Sequence, residues 1–276
     1  MWISVYPESL TSTTQVRGRL MGPRCRYAST VEVAYPLREQ SREYEKEGIA
    51  HITTRIIIPE PNLWEPQTPF LYEGPLELWQ TGSHVDSTHI SYGLRTFGLG
   101  PKGLRWNSRL LSLTVVERER FEEPEALRLR QAGINCLLLP VRAESADCWA
   151  VADHFGFLLL GRVHNREAYR QTVAPGHRAS ALGWVLDSEL LEDPLIRATL
   201  ESPPQENEPL VGVELKRRPS LPLPRRIQFV VCEENVLENI SGLALARLVL
   251  KGVPLATRES TSPQVSGPEI LGFIYS

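Results

Sequence analysis

GINCLLLPVRAESADCWAVADHFGFLLLGRV, residues 133–163, reads as a strand, a helix and a second strand. Its outer parts, INCLLLPV (134–141) and GFLLLGRV (156–163), are apolar without alternation. That is the pattern of strands covered on both faces, as in a parallel sheet flanked by helices. Between them SADCWAVADHFG (145–156) sets Trp149, Ala152 and Phe155 on one helical stripe and ends in glycine, a common helix stop. A strand, a crossover helix and a parallel strand form the repeating unit of α/β folds.

Working outward, six further apolar runs lie to either side: LLSLTVV (110–116), ALGWVL (181–186), PLVGVEL (209–215), RIQFVV (226–231), VPLAT (253–257) and EILGFIY (269–275). Eight runs predict an eight-stranded β/α barrel. EEPEALRLRQAG (122–133), with proline in its first turn and glycine after its last, and ENISGLALARLVLKG (238–252) predict two more helices. TSPQVSGP (261–268) and PLPRR (222–226) are too short or too proline-rich for full crossover helices. From residue 110 onward there are about 167 residues, against about 250 for an ordinary (β/α)8 barrel, so the expectation is a reduced TIM-type barrel.

The first 98 residues have another texture. Val31 to Tyr35, Ala50 to Ile58, Gly74 to Trp79 and Ser87 to Tyr92 are β-branched or aromatic runs bounded by turn residues, and HITTRIII and PLELW alternate as half-buried strands do. Two sheets covering each other's apolar faces are the natural solution, so an all-β sandwich is expected. LREQSREYEKEGI (37–49) is charged and predicts an exposed loop or helical turn. The cluster GLGPKGLRWNS (98–108) marks the boundary, giving domains 1–98 and 99–276.

Composition narrows the function classes. Of the 276 residues 42% are hydrophobic and 23% charged, the usage of a globular protein, and the formal net charge of −3 supplies no global field for nucleic acid or an anionic membrane. No apolar run nears the roughly 20 residues of a membrane span, and MWISVYPES lacks a signal pattern. Localisation is left open. Cys25, Cys136, Cys148 and Cys232 form no CxxC pair, and the six histidines show no HxH or HxxxH spacing, so neither a metal nor another cofactor is expected. No GxSxG elbow occurs. RVHNREAYR (162–170) and the basic, proline-rich KRRPSLPLPRR (216–226) read as exposed connections.

The string PEPNLWEPQTPFLYEGPLELWQTGSHVDSTHISYGLRTF (59–97) resembles the end of the immunoglobulin-like sandwich of glycoside hydrolase family 2, where LWEPQTPFLY is followed by two strands and YGLRTF leads into a catalytic barrel. GINCLLLPV resembles that family's second barrel strand and ADHFGFLLLGR (152–162) its third. WVLDSE (184–189) resembles the fourth, whose end carries Trp, a few residues, Asn and the acid/base Glu. VPLATRES (253–260) resembles the seventh, whose terminal glutamate is the nucleophile, and LGFIYS the eighth. The resemblance implies an immunoglobulin-like sandwich followed by a reduced barrel, without the family's N-terminal jelly-roll, which other domains or subunits would then supply.

By that resemblance Glu189 is the candidate acid/base and Glu259 the candidate nucleophile, with Ser188, Trp184 and Asn135 as substrate-binding positions. Retaining hydrolysis of a β-glycoside needs two carboxyl groups about 5–5.5 Å apart, and barrels gather such groups at the C-terminal ends of their strands. The rest of the family site is altered. Leu138 and Val141 stand at the family's Arg and His positions, Arg162 reverses an acidic one, and Ser188 replaces the Asn that reaches the sugar 2-hydroxyl. Two functions follow: a retaining glycosidase, or a degenerate descendant that binds carbohydrate or protein. Trp79, Trp106, Trp149 and Trp184 offer ring faces that match a pyranose, with core packing as the competing role.

Overall fold

The computed structural model describes all residues except 45–49, 101–102, 143–144, 173–174, 205–206, 218–221, 234–235, 237–246, 254–268 and 276. The chain forms two compact units, Met1–Trp64 with Thr68–Leu94, and Glu65–Gln67 with Arg95–Ser276.

The first unit holds β1 (Trp2–Val5), β2 (Gln15–Arg24), β3 (Val33–Pro36), β4 (Arg38–Tyr44), β5 (Ala50–Arg55), β6 (Leu71–Gln80) and β7 (Ser83–Tyr92). They form two antiparallel sheets, in the orders β3-β2-β6-β7 and β1-β5-β4. Leu20, Ile56 and Tyr72 make a buried cluster, against which Ile3 of β1 and Tyr35 of β3 pack, so both sheets contribute to one apolar layer. Gly18 is required within β2: its φ is 153°, and a side-chain carbon there would run into the carbonyl of Pro75 on β6.

Charged residues 38–44 are strand β4, where the sequence predicts a loop or helical turn. The physical reason is position: β4 is an edge strand, and edges tolerate and use exposed charge, as at Arg38. β1 and β2 also lie outside the predicted strands; glycine and arginine interrupt the apolar pattern of QVRGRLMGPR (15–24).

The second unit opens with an antiparallel meander, β8 (Phe97–Gly100), β9 (Gly103–Trp106) and β10 (Arg109–Leu110), in the stretch read as a linker. Phe97 and Trp106 stack with centroids 5.0 Å apart. Then follow β11 (Leu113–Glu117), β12 (Cys136–Pro140), β13 (Leu158–Val163), β14 (Ala181–Asp187), β15 (Leu210–Glu214), β16 (Phe229–Glu233), β17 (Arg247–Val253) and β18 (Glu269–Tyr275). Each pairs in parallel with the next, and β11 pairs with β18, so the eight close into a barrel.

Among the described residues four α-helices cover this sheet: α1 (Glu123–Gln131), α2 (Ala146–Phe155), α3 (Arg166–Arg170) and α4 (Pro194–Leu200). They occupy the four connections from β11 to β15, so strand and helix alternate over that part of the circuit. The described part of the β15–β16 connection is without helix, as the prolines of that stretch require. Arg247–Val253 is strand where the sequence predicts the end of a helix. Leu243, Ala246 and Leu250 read as one helical face, but from Arg247 the backbone pairs with β16 and β18. The predicted strand VPLAT therefore contributes Val253 to β17, and the rest of it lies outside the described residues.

α2 buries Trp149, Ala152 and Phe155, as its stripe predicts, together with Asp153. The Asp153 carboxylate accepts from Ser180 N at 2.7 Å and pairs with Arg178 at 3.3 Å, tying α2 to the start of β14. Burial pushes its pKa above the ordinary aspartate value, and the bonds from Ser180 and Arg178 oppose that rise. Gly156 ends α2 at φ 74°, and a side-chain carbon there would strike the Pro66 carbonyl. Arg130 binds the same corner, donating to Phe155 O at 2.9 Å and Gln67 O at 2.8 Å. Gly156→Val is expected to destabilise the protein by about 2 kcal/mol or more, from left-handed strain plus the collision; urea unfolding with an unchanged m value and a lower midpoint checks this.

Candidate functional site

Several barrel strands are apolar along their length and end in charge. β12 is buried throughout, while β11, β14, β15 and β16 terminate in Glu117, Asp187, Glu214 and Glu233, and β13 carries Arg162 one residue before its end. Parallel pairing in register brings these ends to one mouth, the C-terminal face on which barrel enzymes do chemistry.

Arg162 spans that mouth. Its Nη1 lies 2.6 Å from Glu117 Oε1 and its Nη2 2.9 Å from Glu214 Oε2. β11 and β15 are four strands apart in a ring of eight, so one guanidinium joins opposite walls. The Arg162 and Glu214 side chains are 13% and 12% exposed, and Glu117 37%. The contact with Glu214 is charge pairing without hydrogen-bond alignment, and the buried Nε makes no hydrogen bond among the described residues. Beside this bridge His164 Nδ1 meets Asp187 Oδ2 at 2.8 Å, turning the other ring nitrogen away from the pair.

The sequence-derived site residues fall in different places. Glu189 is exposed, in the 3₁₀ turn Ser188–Glu192 that follows β14 at the mouth, and Ser188 is half-buried in the same turn. Glu259 lies outside the described residues.

Trp184 is 7% exposed, with its ring 5.6 Å from that of Trp149 on α2 and against Gly161. It faces the helix layer, because the two-residue period of β14 sends it the opposite way from Val185 and Asp187. Asn135 sits before β12 at the other end of the barrel. There its amide accepts from Thr114 N and donates to Ser112 O, both at 2.8 Å, satisfying the strand starts and standing apart from Glu189. Of the other tryptophans, Trp106 and Trp149 are core and Trp79 lies under Arg17, 4.5 Å from its ring centroid.

Glu117 and Glu214 are not among the sequence-derived candidates. The signal that finds them is a charge ending an apolar strand run, LTVVE and LVGVE, a placement that solvation of a loop does not require. No group of His, Cys, Asp and Glu among the described residues is arranged to hold a metal. Burial raises the thiol pKa of Cys136 above the ordinary range and that of Cys232 to about 11, so neither is an activated nucleophile. Among the described residues no helix is long and apolar enough to cross a membrane.

The model of the family described as glycosyl hydrolases family 2 matches residues 26–95. These residues carry a glycosyl hydrolases family 2 segment. The match bears out the resemblance carried by LWEPQTPFLY and YGLRTF. No curated protein matches the chain.

Solved family 2 structures share the fold. A calcium-binding mutant of Bacteroides uniformis β-glucuronidase 2 superposes with a TM-score of 0.64 at 13% identity, over 99% of this chain and 43% of its own. A glycosyl hydrolase family 2 member from Bacteroides cellulosilyticus gives 0.61 at 14% identity, over 95% and 41%. An FMN-binding β-glucuronidase from Facaelibacterium prausnitzii gives 0.58 at 15% identity, over 88% and 44%. The chain spans less than half the length of these family 2 proteins.

Proposed function

We propose that this chain is a carbohydrate-binding module of glycosyl hydrolase family 2 descent, an immunoglobulin-like sandwich (1–98) followed by a reduced (β/α)8 barrel (99–276) that no longer performs retaining hydrolysis. One observation carries the reading: the Arg162 bridge between Glu117 and Glu214 fills the barrel mouth with charges already engaged by one another. A glycosidase mouth must offer free polar groups to the sugar ring and a pair of carboxyl groups to its anomeric carbon. Leu138, fully buried in β12, adds an apolar wall where the family resemblance implies a cationic side chain. Domains or subunits supplying a jelly-roll belong to the same proposal.

The competing reading is a retaining β-glycosidase with Glu189 as acid/base and Glu259 as nucleophile. It is favoured by the place of Glu189, directly beyond the fourth barrel strand at the mouth. The test is hydrolysis of a panel of chromogenic aryl β-glycosides by the purified chain and by Glu189→Gln, with glycan-array binding in parallel. The module reading expects no turnover above the variant's level together with glycan binding. Turnover abolished by Glu189→Gln overturns it in favour of the enzyme.

A further inference from the structure

The first unit has a cleft of its own. β1 and β7 are edge strands of their sheets, and the chain beside these edges encloses about 420 Å³, within the size range of small-molecule sites. Val16 and Leu76, both buried, lie at its floor, and Tyr6 and Val85, 56% and 53% exposed, stand at its rim. Tyr6 is held in place by stacking on His51, with ring centroids 4.9 Å apart and planes inclined by 28°. An ordered, amphipathic ring at a rim suits the C–H face of a pyranose at little entropic cost.

The polar groups of the lining have one sign. Glu8 and Asp86 contribute carboxylates, and neither Lys nor Arg is present in the lining. Gln80 donates to Ser9 O at 2.8 Å, so part of the polar rim is set before any ligand arrives. Carboxylates accept hydroxyl hydrogens well and repel anions. The acidic lining excludes an anionic ligand, and the exposed ring of Tyr6 suits a hydroxyl-rich one.

We propose that the cleft beside β1 and β7 binds a neutral pyranoside glycan, with Tyr6 as the stacking plate and Asp86 as a hydroxyl acceptor. The proposal rests on the carbohydrate-binding reading and places its site in the sandwich unit instead of the barrel mouth. The test is calorimetric titration of the full chain with β-linked gluco-, galacto- and manno-oligosaccharides and with an oligoglucuronate. A neutral oligosaccharide is expected to bind, with affinity falling at least tenfold in Tyr6→Ala and returning in Tyr6→Phe, which keeps the ring. Both positions 6 and 86 are exposed, so Tyr6→Ala and Asp86→Lys are expected to retain the wild-type circular dichroism spectrum. Neutral binding unchanged in both variants overturns this site and leaves the module reading standing. Preference for the oligoglucuronate overturns the ligand class, and binding of none of the four overturns the cleft and the module together.

Discussion

Trp184→Ala is expected to cost about 3–5 kcal/mol of stability, as large-to-small changes of buried aromatic residues do. The side chain is 7% exposed, and its ring packs on Trp149 with centroids 5.6 Å apart. Room for it is made by Gly161 on the neighbouring strand, where a side-chain carbon would lie 2.6 Å from the indole. Truncation leaves a cavity between β14, β13 and α2 that rigid parallel strands cannot close, so the transfer and cavity penalties add. Trp184→Phe keeps part of the contact and is expected to lose roughly half as much. Urea denaturation checks the order wild type, Phe, Ala. A stable Trp184→Ala protein with weakened glycan binding returns this residue to a ligand role.

Arg162→Met is expected to cost about 2–4 kcal/mol, less than the 3–5 of a fully buried pair because Glu117 is partly exposed and screened. Methionine replaces the aliphatic stem but removes the cation that both carboxylates face across the mouth. Most of the loss is therefore the isolation of Glu214, whose side chain is 12% exposed. Combining Arg162→Met with Glu117→Leu and Glu214→Leu is expected to recover much of the stability, since an apolar set of similar volume needs no charge compensation. A double-mutant cycle between Arg162→Met and Glu214→Gln is expected to return a coupling energy of about 1–3 kcal/mol. A coupling near zero overturns the bridge as an energetic feature. The triple variant also addresses function: a mouth freed of the bridge that still hydrolyses no glycoside excludes the bridge as the sole block to catalysis.

Much of the fold was legible wherever one local pattern dictates one environment. The unbroken apolar runs of β12 and β13 require cover on both faces, and the stripe of α2 with Gly156 behind it requires a helix that stops there. β2, β4 and the meander β8–β10 were not legible, because glycine, arginine and edge charges disguise strands whose partners are distant in sequence. β17 shows the same limit: Leu243, Ala246 and Leu250 suit a helix face, and from Arg247 pairing with β16 and β18 decides for strand.

For the site, Glu189 lies directly beyond β14, since a residue just past a strand end travels with that strand. Asn135 serves the opposite end of the barrel, and the direction of Trp184 follows from strand parity. By itself the sequence determined a likeness to glycosyl hydrolases family 2 over residues 26–95 and most of the parallel strands beyond it, because burial and turn patterns are local. Only the tertiary structure decided what fills the mouth. Glu117, Arg162 and Glu214 come from strands separated by 45 and 52 residues, and their meeting depends on barrel closure and register, which no local pattern encodes.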